Sequence, residues 1–281
     1  MRERWDSLRY ALLENPLTLV ALLLLALLLG CAVLGPSLVP YDPIATNTAM
    51  ALRPPSTAHW FGTDQLGRDI FSRTVVATRL DLLIAFAAVA LSFAIGAVIG
   101  ATIGYFGGML DRGVSRGVDV LMAFPLFALA MGVVAALGNS VSSIVYATAV
   151  INLPFYIRLA RAEVSVRRNL GYVEAARVGG SGHARILRVY LLPNILPPLV
   201  VQASLNLGWA VLNAAGLSFI GLGVRAPTPE WGIMVAEGAQ FIVSGQWWLA
   251  AFPGAALMLA VFCFNLLGDG LRDVVDPRSR K

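Results

Sequence analysis

The 281-residue chain is 58% hydrophobic and 13% charged, against about 45–50% and about 25% in soluble globular domains, and its apolar residues gather into long runs, so a water-soluble domain is excluded. Its net charge of +5 comes from arginines plus the single lysine, Lys281, spread between the apolar runs. That distribution argues against a nucleic-acid binder and for membrane orientation by positive loops. Two cysteines, Cys31 and Cys263, lie inside apolar runs and offer no disulfide framework or metal-ligand spacing.

A helix needs about 20 apolar residues to cross a bilayer. The runs predict six spans, at residues 17–35, 82–106, 118–138, 141–160, 196–220 and 248–268. The expected fold class is an all-α membrane protein of six transmembrane helices with a cytoplasmic coupling helix-turn-helix. Arg2, Arg4 and Arg9 before the first run imitate a signal peptide. The run is long for that role and no A-x-A pattern closes it, so it reads as a retained span.

Residues 1–16 are expected to be a cytoplasmic N-terminus, 36–81 a proline-rich extracytoplasmic loop, 82–268 the permease core, and 269–281 a cytoplasmic tail. The charges set this orientation. The inner segments carry 16 of the 21 basic residues and the outer ones 5: Arg53, Arg68, Arg73, Arg79 and Arg225.

In the outer loop, Gly62 and Gly67 have the spacing that opens a phosphate-binding loop. Arg68 and Asp69 follow where that motif needs Lys and Ser/Thr, so nucleotide binding there is rejected. In span two, Gly96, Gly100 and Gly104 share one helix face, where another backbone can approach closely. The stripe is either a tight seam, with another helix of this chain or with a partner, or incidental glycine in a membrane helix. Asp119 pairs with Arg116 at helical spacing or takes part in transport.

The inner loop 161–195 reads as a helix-turn-helix. Glu174, Ala175, Ala176 and Arg177 favour helix, Gly179, Gly180 and Gly182 break it, and Pro193 is expected to end a second helix over 183–192. Composition leaves two readings of this loop open: a rigid contact for another protein, or an amphipathic segment on anionic headgroups. In span five, Gln202, Asn206, Trp209 and Asn213 fall within a sector of about 60° on a helix of 3.6 residues per turn. Such a face lines a pathway or joins helices by polar contacts. The paired Trp247 and Trp248 fit an aromatic belt at the membrane boundary. His59 and His183 lie on opposite sides of the membrane in this topology and cannot share a metal.

The stretch Glu174-Ala175-Ala176, with Gly180 and then Leu192-Pro193, resembles the EAA motif of importer permeases in the ATP-binding-cassette superfamily. Phe61-Gly-Thr-Asp64-Gln-Leu-Gly67-Arg68-Asp69 is similar to the N-terminal signature of the dipeptide/oligopeptide/nickel permeases. So are Gly104-Tyr-Phe-Gly-Gly108, Asp119 to Pro125, Arg158 to Glu163, Leu217 to Val224 and Phe264 to Asp273. The long N-terminal outer segment resembles the second, C-type, permease of that system.

The resemblance implies that Glu174, Ala175, Ala176, Gly180, Leu192 and Pro193 couple the chain to a cytoplasmic ATPase. It implies a homologous second permease, two ATP-binding subunits and an extracytoplasmic substrate-binding protein as partners, with membrane lipids around them. The site would be the bacterial inner membrane, with both termini cytoplasmic. No cofactor is expected in this chain, since ATP and magnesium belong to the partners. Peptides are the expected cargo; nickel chelates and glutathione-like solutes are alternatives. A stand-alone secondary transporter predicts acids or histidines at membrane depth, and the spans are nearly free of them.

Overall fold

The computed structural model describes residues 16–275. The assigned N-terminal segment, with Arg2, Arg4 and Arg9, and the last part of the tail, with Arg278, Arg280 and Lys281, fall almost wholly outside the described residues. The described residues are mostly helical, with a long irregular segment over 39–69. Among the described residues, five helices are long and apolar enough to cross a membrane: α1 (Pro16–Leu38), α2 (Ile70–Phe106), α5 (Val141–Arg167), α7 (His183–Phe219) and α9 (Trp248–Val275). Between them lie α3 (Gly108–Ala123), α4 (Leu126–Leu137), α6 (Gly171–Val178) and α8 (Trp231–Ala239). The count reaches six only if α3 and α4, bent by 95°, act as one span.

That bend corrects the continuous third span over 118–138. Pro125 removes a backbone donor and disfavours helical geometry at the residue before it. Phe124 is accordingly extended, with φ −78° and ψ 143°. Asp119 pairs across helices with Arg158, Nη2 to Oδ1 at 2.6 Å, rather than with Arg116.

The second span also begins earlier than 82. Helix α2 starts at Ile70, where Asp69 caps it by accepting from Ser72 N–H at 2.8 Å. Polar residues hid this start from a hydropathy reading, because Arg73 and Asp81 belong to the helix and are buried. The predicted outer segment 36–81 is therefore helical from Ile70 onward. Segment 221–247, between the last two predicted spans, contains α8, whose N-terminus is capped by Glu230.

The inner loop 161–195 needs the largest correction. No breaker follows Leu159, and α5 continues to Arg167. The second loop helix does not stop at Pro193. It runs on as α7, through a π-helical stretch at Ile186–Leu191 in which Leu192 N–H donates to Leu187 O, five residues back. The wider turn moves a carbonyl away from the proline ring and absorbs the missing donor, so the helix survives a residue that normally ends one.

The core is built by α2, α5, α7 and α9, and α2 packs most extensively on α5. Its buried side chains include Tyr156, Ile195, Leu199 and Phe264. The outward faces are apolar too, with Leu23, Leu27 and Val33 of α1 exposed. A bundle greasy on both sides is stable where the solvent is lipid.

The two histidines mark the ends of α2. His59 Nδ1 lies 2.9 Å from Asp69 Oδ1 at the start of the helix. His183 Nδ1 lies 2.8 Å from the Tyr105 hydroxyl at its finish. Thirty-seven residues at 1.5 Å each separate the two ends by about 55 Å.

Candidate functional site: an exposed helix and turn at one end of the bundle

Helix α6 stands at the His183 end. Val173 and Ala176 are its buried face and join the main core together with Ile186 and Leu191 of the π-helical stretch. Glu174, Ala175, Arg177 and Val178 are exposed, Val178 at 90%. The spacing of three between Val173 and Ala176 gives one seated side and one free side. Of the predicted residues, Glu174 and Ala175 therefore present themselves outward and Ala176 anchors the helix.

Gly180 closes α6. Its φ is +78°, a left-handed conformation that costs a side-chain-bearing residue about 1–2 kcal/mol. Ser181 N–H donates back to Ala176 O at 3.0 Å, completing the six-to-one bond of a glycine-terminated helix. Gly179 keeps an ordinary negative φ, so Gly180 alone needs the special geometry. Leu192 is half-buried and Pro193 exposed, both just beyond the π-helical stretch.

The glycine stripe of α2 lies against α5. A methyl on Gly96 would meet Tyr156 Cβ at 2.5 Å, one on Gly100 the Ile157 carbonyl at 2.4 Å, and one on Gly104 the Arg161 carbonyl at 2.7 Å. The partner of this stripe is thus within the same chain. Arg161 also pairs with Asp111 of α3, Nη2 to Oδ2 at 2.7 Å.

The polar sector of α7 divides. Asn206 is buried and takes a hydrogen bond from Gln202 Nε2 at 2.9 Å. Trp209 is exposed, and the half-buried Asn213 donates to the Trp209 carbonyl at 2.9 Å. The structure brings Gln202 and Asn206 together inside the bundle and leaves Trp209 and Asn213 toward its surface.

At the opposite end, residues 59–73 form a compact charged knot that sequence reasoning did not anticipate. Asp64 accepts from Arg68 Nε at 2.6 Å and from the backbone N–H groups of Leu66 and Arg68. Arg68 Nη2 reaches Glu237 of α8 at 3.2 Å. Arg73 donates to the carbonyls of Pro43 and Pro227. Its signal was the Asp64–Asp69 signature itself, which carries alternating charges too closely spaced for a solvated loop. The start of α2 is already occupied by the Asp69 carboxylate, which excludes a phosphate there. Trp248 is buried with Nε1 directed at Thr63 O, so only Trp247 of the tryptophan pair faces outward.

Beside this knot, Asp81 Oδ2 accepts from Trp231 N–H at 3.2 Å, while Glu230 accepts from Gly232 and Ile233 N–H at 2.9 and 2.8 Å. Both acids are buried. Burial pushes the Glu230 carboxyl above the usual glutamate range, although its hydrogen bonds pull the other way. A raised folded-state value means the folded chain holds more protons than the unfolded one, so stability is lost as pH rises through that value. The thermal midpoint in detergent is therefore expected to fall as pH climbs past the usual glutamate range, and Glu230→Gln should flatten that slope. A wild-type midpoint that rises over the same range contradicts the raised Glu230 value.

Residues 96–281 match the family described as binding-protein-dependent transport system inner membrane component, and residues 3–55 match the N-terminal transmembrane domain of oligopeptide transport permease C. The chain is 43% identical to the probable D,D-dipeptide transport system permease protein DdpC of Escherichia coli K12, over 97% of this chain and 91% of that one. It is 41% identical to the dipeptide transport system permease protein DppC of Alkalihalophilus pseudofirmus, over 98% and 90%. It is 40% identical to the nickel transport system permease protein NikC of Escherichia coli K12, over 92% and 93%. Among solved structures, an inward-facing form of the MetNI methionine ABC transporter shares the fold. Its TM-score is 0.59 at 23% identity, over 72% of this chain and 96% of that one. The chain belongs to the inner-membrane permease family of binding-protein-dependent ABC importers, in its C-type dipeptide and nickel branch.

Proposed function

We propose that this permease imports di- or oligopeptides, with energy from two ATP-binding subunits that seat on α6. The observation that carries the coupling part is the shape of α6 and its turn: Glu174 and Ala175 exposed on a short helix held rigid by Val173, Ala176 and Gly180. A rigid free edge can transmit displacement, whereas a mobile loop dissipates it. With α6 cytoplasmic, both termini are cytoplasmic and the Asp64–Glu237 knot faces outward, where a substrate-binding protein delivers cargo. A homologous second permease completes the pathway. Of the candidate lining residues, Trp209 and Asn213 stand toward the surface, where indole and amide groups can exchange hydrogen bonds with peptide amides, and Gln202 with Asn206 backs them inside the bundle. ATP and magnesium belong to the partner subunits; this chain supplies the path and the lever.

The dipeptide relatives at 43% and 41% identity support peptides as cargo. The nickel relative at 40% supports a nickel chelate as a second reading. Proteoliposomes holding the full complex and its binding protein separate these. ATP-dependent uptake of labelled dipeptide is expected, and Glu174→Ala should cut it at least about tenfold, the loss of one charge-assisted contact of about 1.5–3 kcal/mol. Uptake that is independent of ATP would contradict the importer reading, and ATP-driven uptake of chelated nickel with none of dipeptide would replace the cargo.

A further inference from the structure

Two side chains, one before α6 and one after it, hold the same place on α2. Arg168 Nη1 donates to the carbonyls of Gly104 and Tyr105 at 3.1 and 3.3 Å. These carbonyls lie in the last turn, where a helix has no internal donors left and its dipole favours a cation. His183 opens α7, and its Nδ1 lies 2.8 Å from the hydroxyl of the buried Tyr105. The His183 ring also meets the rings of Tyr105 and Phe106 at centroid distances of 5.6 and 5.5 Å. The segment 168–183, which contains all of α6, is thus fastened at both of its ends to the finish of α2.

The other end of α2 is fastened as firmly. Asp69 caps it, and Arg73 within it is buried and donates to Pro43 and Pro227. Arg68, one residue before the cap, pairs with Glu237 of α8. Between these ends the glycine stripe lets α2 lie backbone-to-backbone on α5, so the helix is braced against bending.

We infer that α2 is the rod that carries displacement of α6 to the Asp64–Glu237 knot, and that Tyr105, Arg168 and His183 are the positioning residues that couple α6 to it. This rests on the reading of α6 as the ATPase contact. The three residues touch neither nucleotide nor cargo. They decide how much of the motion of α6 becomes motion of α2.

The test uses proteoliposomes of the whole complex, with uptake and ATP hydrolysis measured in the same vesicles. Tyr105→Phe keeps the ring and removes the hydroxyl. Uptake per ATP hydrolysed should fall about fivefold, the scale of one hydrogen bond. The KM for ATP and the affinity for loaded binding protein should stay as in the wild type. On the His183 side, His183→Ala should lower the ratio similarly. His183→Asn, which restores a polar group near the Nδ1 position, should recover most of it. An unchanged ratio in Tyr105→Phe overturns the inference while leaving the importer reading intact, provided the wild type is active. A parallel loss of uptake, hydrolysis and thermal midpoint in Tyr105→Phe and His183→Ala overturns it too, as a purely structural effect. A wild-type complex without ATP-driven uptake overturns the underlying reading and this inference with it.

Discussion

Gly100→Val is expected to abolish folded protein in detergent extracts of the membrane. A β-carbon at position 100 would stand 2.4 Å from the Ile157 carbonyl oxygen, 2.8 Å from Ala160 Cβ and 3.1 Å from Arg161 N. Two of these obstacles are backbone atoms, which cannot rotate away. Overpacking of a closed interface costs roughly 1–3 kcal/mol and more where nothing can yield. Valine adds two further methyls to the clash, and α2 against α5 is the most extensive helix pair of the bundle. Gly113→Val on α3 is the control, since a methyl there meets nothing within 4 Å. Size-exclusion profiles of fluorescently tagged variants decide it. A monodisperse peak should survive in Gly113→Val and vanish in Gly100→Val; equal profiles would contradict the seam.

Asp64→Ala should produce the second large loss. It removes a carboxylate that faces Arg68 at 2.6 Å and Arg73 at 3.7 Å, both side chains only 2% exposed. Breaking a buried pair leaves an uncompensated charge in a poorly solvated place and costs about 3–5 kcal/mol. It also orphans the backbone N–H groups of Leu66 and Arg68. Asp64→Asn keeps an acceptor for those groups and should lose less. The half-exposed pair of Arg158 with Asp119 sets the comparison, because such pairs contribute about 0–1 kcal/mol. In thermal denaturation of detergent-solubilised protein, the midpoint should drop far more for Asp64→Ala than for Arg158→Ala. Equal drops would show that the knot is solvated.

Apolar runs made most of the fold readable before any coordinates, because a lipid-facing helix states its length in its composition. They failed where polar residues are buried by neighbours. The first turns of α2 carry Arg73 and Asp81, and hydropathy cannot tell buried polar side chains from a wet loop. The reading at Pro193 failed for a different reason. A proline rule is local, and the π-helical turn that accommodates the ring draws on packing of Ile186 and Leu191 from elsewhere in the core. For the site, the exposure of Glu174 and Ala175 follows from helical spacing once α6 is anchored. The meeting of Asp81 with Glu230 does not, because the two are brought together only by the packing of α8 against the rest of the bundle. Likewise, nothing in the spacing of His183 points to Tyr105.

On the proposed coupling, the exposed edge of α6 is where the ATP-binding subunit sits. The most direct measurement is site-specific cross-linking from Ala175→Cys in membranes bearing the whole complex, with Cys31 and Cys263 replaced by alanine. A short thiol cross-linker should join position 175 to the ATP-binding subunit, and Trp60→Cys in the knot at the other end should never join it. Cross-linking of the ATP-binding subunit from position 60, or none from position 175 in a complex that still hydrolyses ATP, would contradict the account.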